Sequence, residues 1–333
     1  MRINWRLIIG IAFSALALFL IFQSVDDPAE LIGALRRANY LWLIPAALLL
    51  VATMWVRGLR WMELLNRRLP AARAFSISNV GNLLNNVLPL RLGELSRAYL
   101  ASRNSSISVM QSLSTVIVER LLDVLFVFAM LLLVFPLVPN GGPLVDVGTP
   151  VAAMAVIGVV GMFIAAAVRE RVMGLAARLT AWLKPSLREV LLHRADDFLR
   201  GVSAASGRQL VNALILSAVL WVGYAVICYM TLLAFVPEAK WYMGVFTNCA
   251  LALGLTLPSS PSGAGIYEAA GVFALGLFDV PTEVAFAFTL VLHVATFLEV
   301  AVFGVIGLDR EGESFGHLAA AAQNLMTAKR NDA

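Results

Sequence analysis

The chain has 333 residues, 60% of them hydrophobic and only 14% charged, with a mean hydropathy of +0.83. A soluble domain carries about 25% charged residues, so this balance excludes an ordinary soluble enzyme and a disordered chain alike. The formal charge of +4 points to basic cytoplasmic loops and anionic lipid heads, not to nucleic acid.

A membrane span needs about 20 apolar residues. Leu7–Phe22 follows Arg2 and Arg6 and has no small-x-small cleavage site after it, so it reads as an uncleaved first span. Leu41–Val56 is the second span, Ser114–Val138 the third, Pro150–Val168 the fourth, Leu210–Val236 the fifth and Pro281–Leu308 the last. Two further stretches are apolar but interrupted. Phe75–Leu100 carries Asn79, Asn82, Asn85, Asn86, Pro89, Arg91, Gly93, Glu94 and Arg97, and Trp241–Phe278 is broken by Leu257-Pro258-Ser259-Ser260-Pro261-Ser262-Gly263-Ala264-Gly265. Proline and glycine at this density break helices. Broken backbone at membrane depth survives only inside protein or along a wet cavity. Both stretches therefore read as re-entrant hairpins or pairs of short helices.

Basic residues orient the chain. Arg57, Arg60, Arg67, Arg68 and Arg73 follow the second span, and the 169–208 loop holds Arg169, Arg171, Arg178, Lys184, Arg188, Arg194, Arg200 and Arg208. Both regions, and both termini, are expected on the cytoplasmic side of a cell (inner) membrane. The 139–149 and 237–240 turns are expected outside; Arg36 and Arg37 are the mismatch, offset by Asp26, Asp27 and Glu30. Within 169–208, Val172, Leu175, Ala176, Leu179, Trp182 and Leu183 recur at helical spacing opposite the arginines until Pro185. Two basic amphipathic helices fit, lying on the leaflet or packed against the spans.

The order span, broken stretch, span occurs twice with opposite sense, over 41–138 and 210–308. Each break holds a Leu-Pro step followed by glycine and glutamate: Leu88-Pro89 with Gly93-Glu94, and Leu257-Pro258 with Gly265 and Glu268. The expected fold class is an all-α polytopic membrane protein, an inverted-topology repeat with two re-entrant or broken hairpins (about six full spans plus two hairpins, or eight spans). Residues 1–310 form its single transmembrane domain and 311–333 a cytoplasmic tail.

Charges inside such a domain are costly and mark function. Arg91, Glu94 and Arg97 lie in the first break, Glu119, Arg120 and Asp123 in the third span, Glu268 after the second break and Glu299 in the last span, with His293 as a polar companion to Glu299. Glu119 and Asp123, at i and i+4, repel on one helix face. Arg120 offsets part of that, and Arg60, Arg91 and Arg97 are the remaining available partners. The candidate substrate-binding set is thus Arg60, Arg91, Glu94, Arg97, Glu119, Arg120, Asp123 and Glu268. Pro89, Gly93, Pro258, Gly263 and Gly265 are the candidate breaks and hinges. A metal site has almost nothing to be built from, no cofactor is expected, and without a Walker motif ATP is not spent here. Cys228 and Cys249 lie in apolar blocks as small filler.

The motifs Arg57-x-x-Arg60-Trp61, Asn85-x3-Pro89-x-Arg91-x-Gly93-Glu94-x-x-Arg97, Glu119-Arg120-x-x-Asp123 and Pro258-Ser-Ser-Pro-Ser-Gly263-Ala-Gly265-x-x-Glu268 carry a resemblance. Over about residues 5–308 the chain resembles the lysylphosphatidylglycerol synthase transmembrane (flippase-like) family, the membrane half of bacterial multiple peptide resistance factors. The resemblance implies lipid translocation, with membrane lipids as the partners: an anionic or polyprenyl-linked lipid, or a hopanoid-type amphiphile. The family's soluble aminoacyl-transferase domain is not expected within these residues. On this view Arg60, Arg91 and Arg97 pair with a phosphate-bearing head. Glu94, Glu119, Asp123 and Glu268 hold those arginines when the site is empty or bind a cationic head. The rival readings are an intramembrane enzyme, either a Ser262–His293 dyad or a lipid transferase using the acidic cluster as base, and a structural membrane subunit. No catalytic residue is assigned.

Overall fold

The structure, a computed structural model, describes residues 28–88, 92–103, 106–203, 207–257 and 260–321, together with Leu16 and Phe19. The expected first span lies, apart from those two residues, outside the described residues, as do Pro89, Arg91 and Pro258. The described chain is all-helical. In order its helices are α1 (Pro28–Arg37), α2 (Leu43–Leu64), α3 (Ala71–Val87), α4 (Leu92–Arg103), α5 (Val109–Val134), α6 (Gly142–Ala167), α7 (Arg169–Leu179), α8 (Pro185–Ser203), α9 (Gly207–Phe235), α10 (Trp241–Gly254), α11 (Ile266–Gly276) and α12 (Thr282–Glu311). Among the described residues, four helical stretches are long and apolar enough to cross a membrane: Tyr40–Leu64, Gly142–Ala167, Gly207–Phe235 and Thr282–Glu311. Ile44, Leu48, Met154, Ile157, Leu298 and Val305 are exposed on these helices, as lipid-facing residues are. The chain is a polytopic membrane protein.

Each broken stretch is a pair of short helices, α3 with α4 and α10 with α11. Three boundaries differ from expectation. The second span runs on to Leu64 rather than ending at Val56, because Arg60 and Glu63 are buried against protein and do not need water. The third begins at Val109, where the Ser108 side chain accepts from the Gln111 N–H and the Gln111 side chain accepts from the Ser108 N–H, both at 3.1 Å. The expected external turn 139–149 is shorter than predicted, since α6 starts at Gly142 with Pro143 in its first turn and continues through Pro150.

The two repeats are inverted in the structure. The Asn39 N–H, at the start of the second span, donates to the Ala234 carbonyl at the end of α9 (2.8 Å). At the other end, Leu64 shares a cluster with Ala213, so α2 and α9 run antiparallel. Exchanging α2 with α9, α3 with α10, α4 with α11 and α5 with α12 maps the packing onto itself. α3 lies on α12 as α10 lies on α5, and α4 on α5 as α11 on α12. Close approach depends on missing side chains. A Cβ on Gly93 would stand 1.9 Å from the Gly81 carbonyl oxygen across the α3–α4 hairpin, and one on Gly307 of α12 would stand 2.9 Å from the Ser76 carbonyl oxygen of α3. Gly93 therefore allows the close approach of α3 and α4. Gly263 and Gly265, with φ of 78° and 89°, do sit in backbone that favours glycine.

The 169–208 region forms the two expected helices. Leu199 and Val202 of α8 are buried in a cluster with Ala166, so that end packs on the bundle. Leu175, Leu179, Trp182, Leu187, Val190 and Leu191 remain exposed.

Candidate functional site

Three helices meet at a buried charge cluster. α2 supplies Arg60 and Trp61, α4 supplies Glu94 and Arg97, and α5 supplies Glu119, Arg120 and Asp123. The i, i+4 spacing of Glu119 and Asp123 puts both carboxylates toward Arg60, whose Nη1 lies 2.7 Å from Asp123 Oδ1 and Nη2 3.6 Å from Glu119 Oε1. Arg97 Nη2 stands 3.0 Å from Glu119 Oε2. Arg120 bridges Glu94 at 3.0 Å and Asp123 at 3.4 Å. The Arg60, Arg97 and Glu119 side chains are only 3%, 4% and 2% exposed, so water screens none of them. With three guanidiniums against three carboxylates, the cluster is neutral as it stands.

Neutral partners shape the cluster as well. The Arg97 guanidinium lies 4.3 Å from the centroid of the Trp61 ring, a cation–π contact. The Trp61 indole in turn donates to Thr115 Oγ1 at 3.0 Å. The Trp221 indole donates to Asp123 Oδ1 at 3.2 Å, and Arg60 Nη1 donates to Ser217 Oγ at 3.2 Å. The α9 contributions, Ser217 and Trp221, carry no charge and give no signal in sequence. Hydrogen-bonding capacity is left over: the donors Arg60 Nε, Arg97 Nε and Arg97 Nη2 and the acceptors Glu119 Oε1 and Oε2 are buried without a directed hydrogen bond. Most buried polar atoms are satisfied, and these cluster at one place.

Glu268 stands apart from this group. It accepts the Gly265 N–H at 2.6 Å through Oε2, and its Oε1 lies 2.6 Å from His293 Nδ1. Among the described residues its ion-pair partner is His293, not an arginine. His293 was expected beside Glu299, but six residues on a helix turn them onto faces roughly 120° apart. The same shift of 174 positions takes Glu94 to Glu268 and Glu119 to His293. Each repeat thus ties its second short helix to the following span through a charged or ionisable pair. His293 Nε2 contacts the Ser262 carbonyl oxygen at 3.2 Å, not its hydroxyl, so the geometry of a Ser–His dyad is not formed. α3 packs against the Pro261–Gly263 turn, and the two breaks touch there.

A cavity of about 220 Å³ opens beside the end of α2, lined by Glu63, Arg67, Arg208, Gln209 and Asn212. It shares no residue with the cluster, although Glu63 lies only three positions beyond Arg60.

Comparison with known proteins extends the picture. The chain is 27% identical to Glycosyltransferase AglD of Haloferax volcanii over 92% of its own length, and spans 54% of that relative. It is 23% identical to a UPF0104 membrane protein of Methanocaldococcus jannaschii, over 67% of this chain and 92% of the other. A UPF0104 membrane protein of Methanothermobacter thermautotrophicus is 24% identical over 88% of this chain and 91% of its own. No solved structure matches. Residues 7–304, which contain every helix of both repeats but the end of α12, match the lysylphosphatidylglycerol synthase TM region, and the chain belongs to that family.

Proposed function

We propose that the protein is a lipid translocator of the cell membrane, moving a lipid with a phosphate-bearing head between leaflets while its tails stay in the bilayer. The observation that carries this reading is the neutral charge cluster with unused, buried guanidinium donors on Arg60 and Arg97, set inside an inverted repeat of the kind that places substrate between broken helices. A phosphate bound there displaces Glu119 from Arg97 and takes up the free Nε–H groups in bidentate fashion. Glu94, Glu119 and Asp123 then keep the arginines paired between cycles. Cytoplasmic termini follow from the basic 57–73 and 169–208 regions.

The test is leaflet exchange of fluorescent phosphatidylglycerol and of a polyprenyl phosphate in vesicles carrying the purified chain. Arg97→Leu is expected to slow exchange about tenfold or more, the loss of one charge-assisted hydrogen bond of about 1.5–3 kcal/mol. Exchange by Arg97→Leu at the wild-type rate overturns the reading. A second reading, glycosyl transfer onto a membrane lipid, is favoured by the name of the AglD relative. New glycolipid formed from a sugar nucleotide in the same vesicles supports it, whereas a translocator leaves the lipid chemically unchanged.

A further inference from the structure

Both ring nitrogens of His293 face oxygen. Nδ1 meets Glu268 Oε1 at 2.6 Å, and Nε2 meets the Ser262 carbonyl at 3.2 Å. A carbonyl oxygen only accepts, so Nε2 must carry hydrogen. The Nδ1–Oε1 bond needs a second proton, on the ring or on the carboxyl. Glu268 Oε2 is already accepting from the Gly265 N–H. The pair therefore holds two protons in this geometry, one more than a neutral imidazole beside a carboxylate. This count does not depend on which atom carries the second proton.

Removing that proton leaves one hydrogen for two acceptors. It stays on Nδ1, where the bond to the carboxylate is charge-assisted and stronger. The Nε2 lone pair then points at the Ser262 carbonyl lone pairs, and attraction becomes repulsion. Ser262 is in left-handed backbone with φ of 62°, and Gly263 and Gly265 follow at 78° and 89°. Such backbone holds for non-glycine residues only when its surroundings fix it.

We propose that Glu268 and His293 form a proton-binding site that latches the second break: protonated, it holds the Ser260–Gly265 turn against α12, and on losing its proton to solvent it releases that turn. Its link to transport, one proton released per opening of the break, rests on the translocation reading above; the latch itself does not. Among the described residues, few other ionisable groups face the pair. Tyr267 of α11 stacks on the imidazole at 4.5 Å, and Cys228 of α9 shares the buried cluster of Tyr267. α3, on the far side of the turn, has no ionisable side chain from Phe75 to Val87. On α12 itself the next ionisable group is Glu299, about 9 Å further along the helix, and Arg57 of α2 faces it.

The experiment reads hydrogen–deuterium exchange of residues 260–266 in the full chain in lipid nanodiscs, from about pH 5 to about pH 9, the range in which histidine titrates. Expressed as protection factors, wild-type protection is expected to fall about tenfold across this range, the loss of one hydrogen bond. Glu268→Gln supplies an amide N–H to Nδ1 and keeps an oxygen for Gly265, so every bond survives without the extra proton. That variant is expected to hold the low-pH protection throughout, while His293→Ala is poorly protected at every pH. Wild-type protection that does not change with pH, or Glu268→Gln that falls with pH as the wild type does, overturns the latch. Leaflet exchange of fluorescent phosphatidylglycerol in the same samples is a separate arm. Its absence refutes translocation and leaves the protection result intact.

Discussion

Removing Arg97 should cost the protein more than removing Arg97 and Glu119 together. Both side chains are nearly inaccessible and their charges lie 3.0 Å apart. Arg97→Leu deletes the strongest partner of Glu119 and leaves the carboxylate with Arg60 alone, at 3.6 Å. Arg60 is already committed to Asp123 at 2.7 Å, so the site carries a net negative charge out of water. Breaking a buried pair from one side costs about 3–5 kcal/mol, and losing the stack on Trp61 adds about 1–2 kcal/mol. Adding Glu119→Gln restores neutrality at nearly constant volume and should recover about 2 kcal/mol or more of that loss. Unfolding in mild detergent, followed for wild type, both single variants and the double variant, closes the cycle. Losses that add to within about 0.5 kcal/mol, the tolerance for independent sites, refute the claim that the two charges sustain each other.

Other outcomes follow from packing and topology. Gly93→Ala forces a Cβ into the Gly81 carbonyl and should destabilise the hairpin by about 1–3 kcal/mol, whereas Gly158→Ala, which meets open space, should be neutral; melting temperatures separate them. A cysteine at the exposed Lys184 position should resist an impermeant maleimide in intact cells and react in inverted vesicles, and the reverse pattern refutes the orientation. Arg169 makes a two-pronged pair with Asp196, at 2.6 and 2.9 Å, whose hydrogen bonds raise the Arg169 pKa above its ordinary value. Arg169→Lys loses the fork, so amide exchange in α7 and α8 should rise by no more than a few fold, as exposed pairs are screened by water.

The described spans and the helix pairs of the two breaks were legible because hydropathy and proline–glycine density are properties of short windows. Helix ends were less so. Leu64 ends α2 well past Arg57 because neighbours on α5 and α9 satisfy Arg60, and no window of the α2 sequence contains those neighbours. The charge cluster was legible as a set of residue types, since Glu119 and Asp123 share a face and demand partners. Their assignment was not. Arg97 meets Glu119 rather than Glu94, its neighbour on α4, and Glu94 meets Arg120. Spacing along one helix says which side chains share a face, but another helix decides what that face meets. Glu268 shows this most plainly. Its partner His293 lies on the next span, and no spacing within α11 points to it.

The contact between α3 and α12 bears on how the chain is made. Ser76 and Val80, which approach Gly307, leave the ribosome more than 200 residues before it, roughly 10–45 s at about 5–20 residues per second. Throughout that interval α3, with Asn79, Asn82, Asn85 and Asn86 along it, has no α12 to pack against. Nor is α4 able to cross a bilayer alone, because 12 residues of helix span about 18 Å. The first hairpin must therefore wait, shielded by the α2 face or by the insertion machinery, and settle only when the last span arrives. A chain cut short before Gly304 would lack the surface on which its first repeat closes, and quality control would meet a defect far upstream of the missing residues.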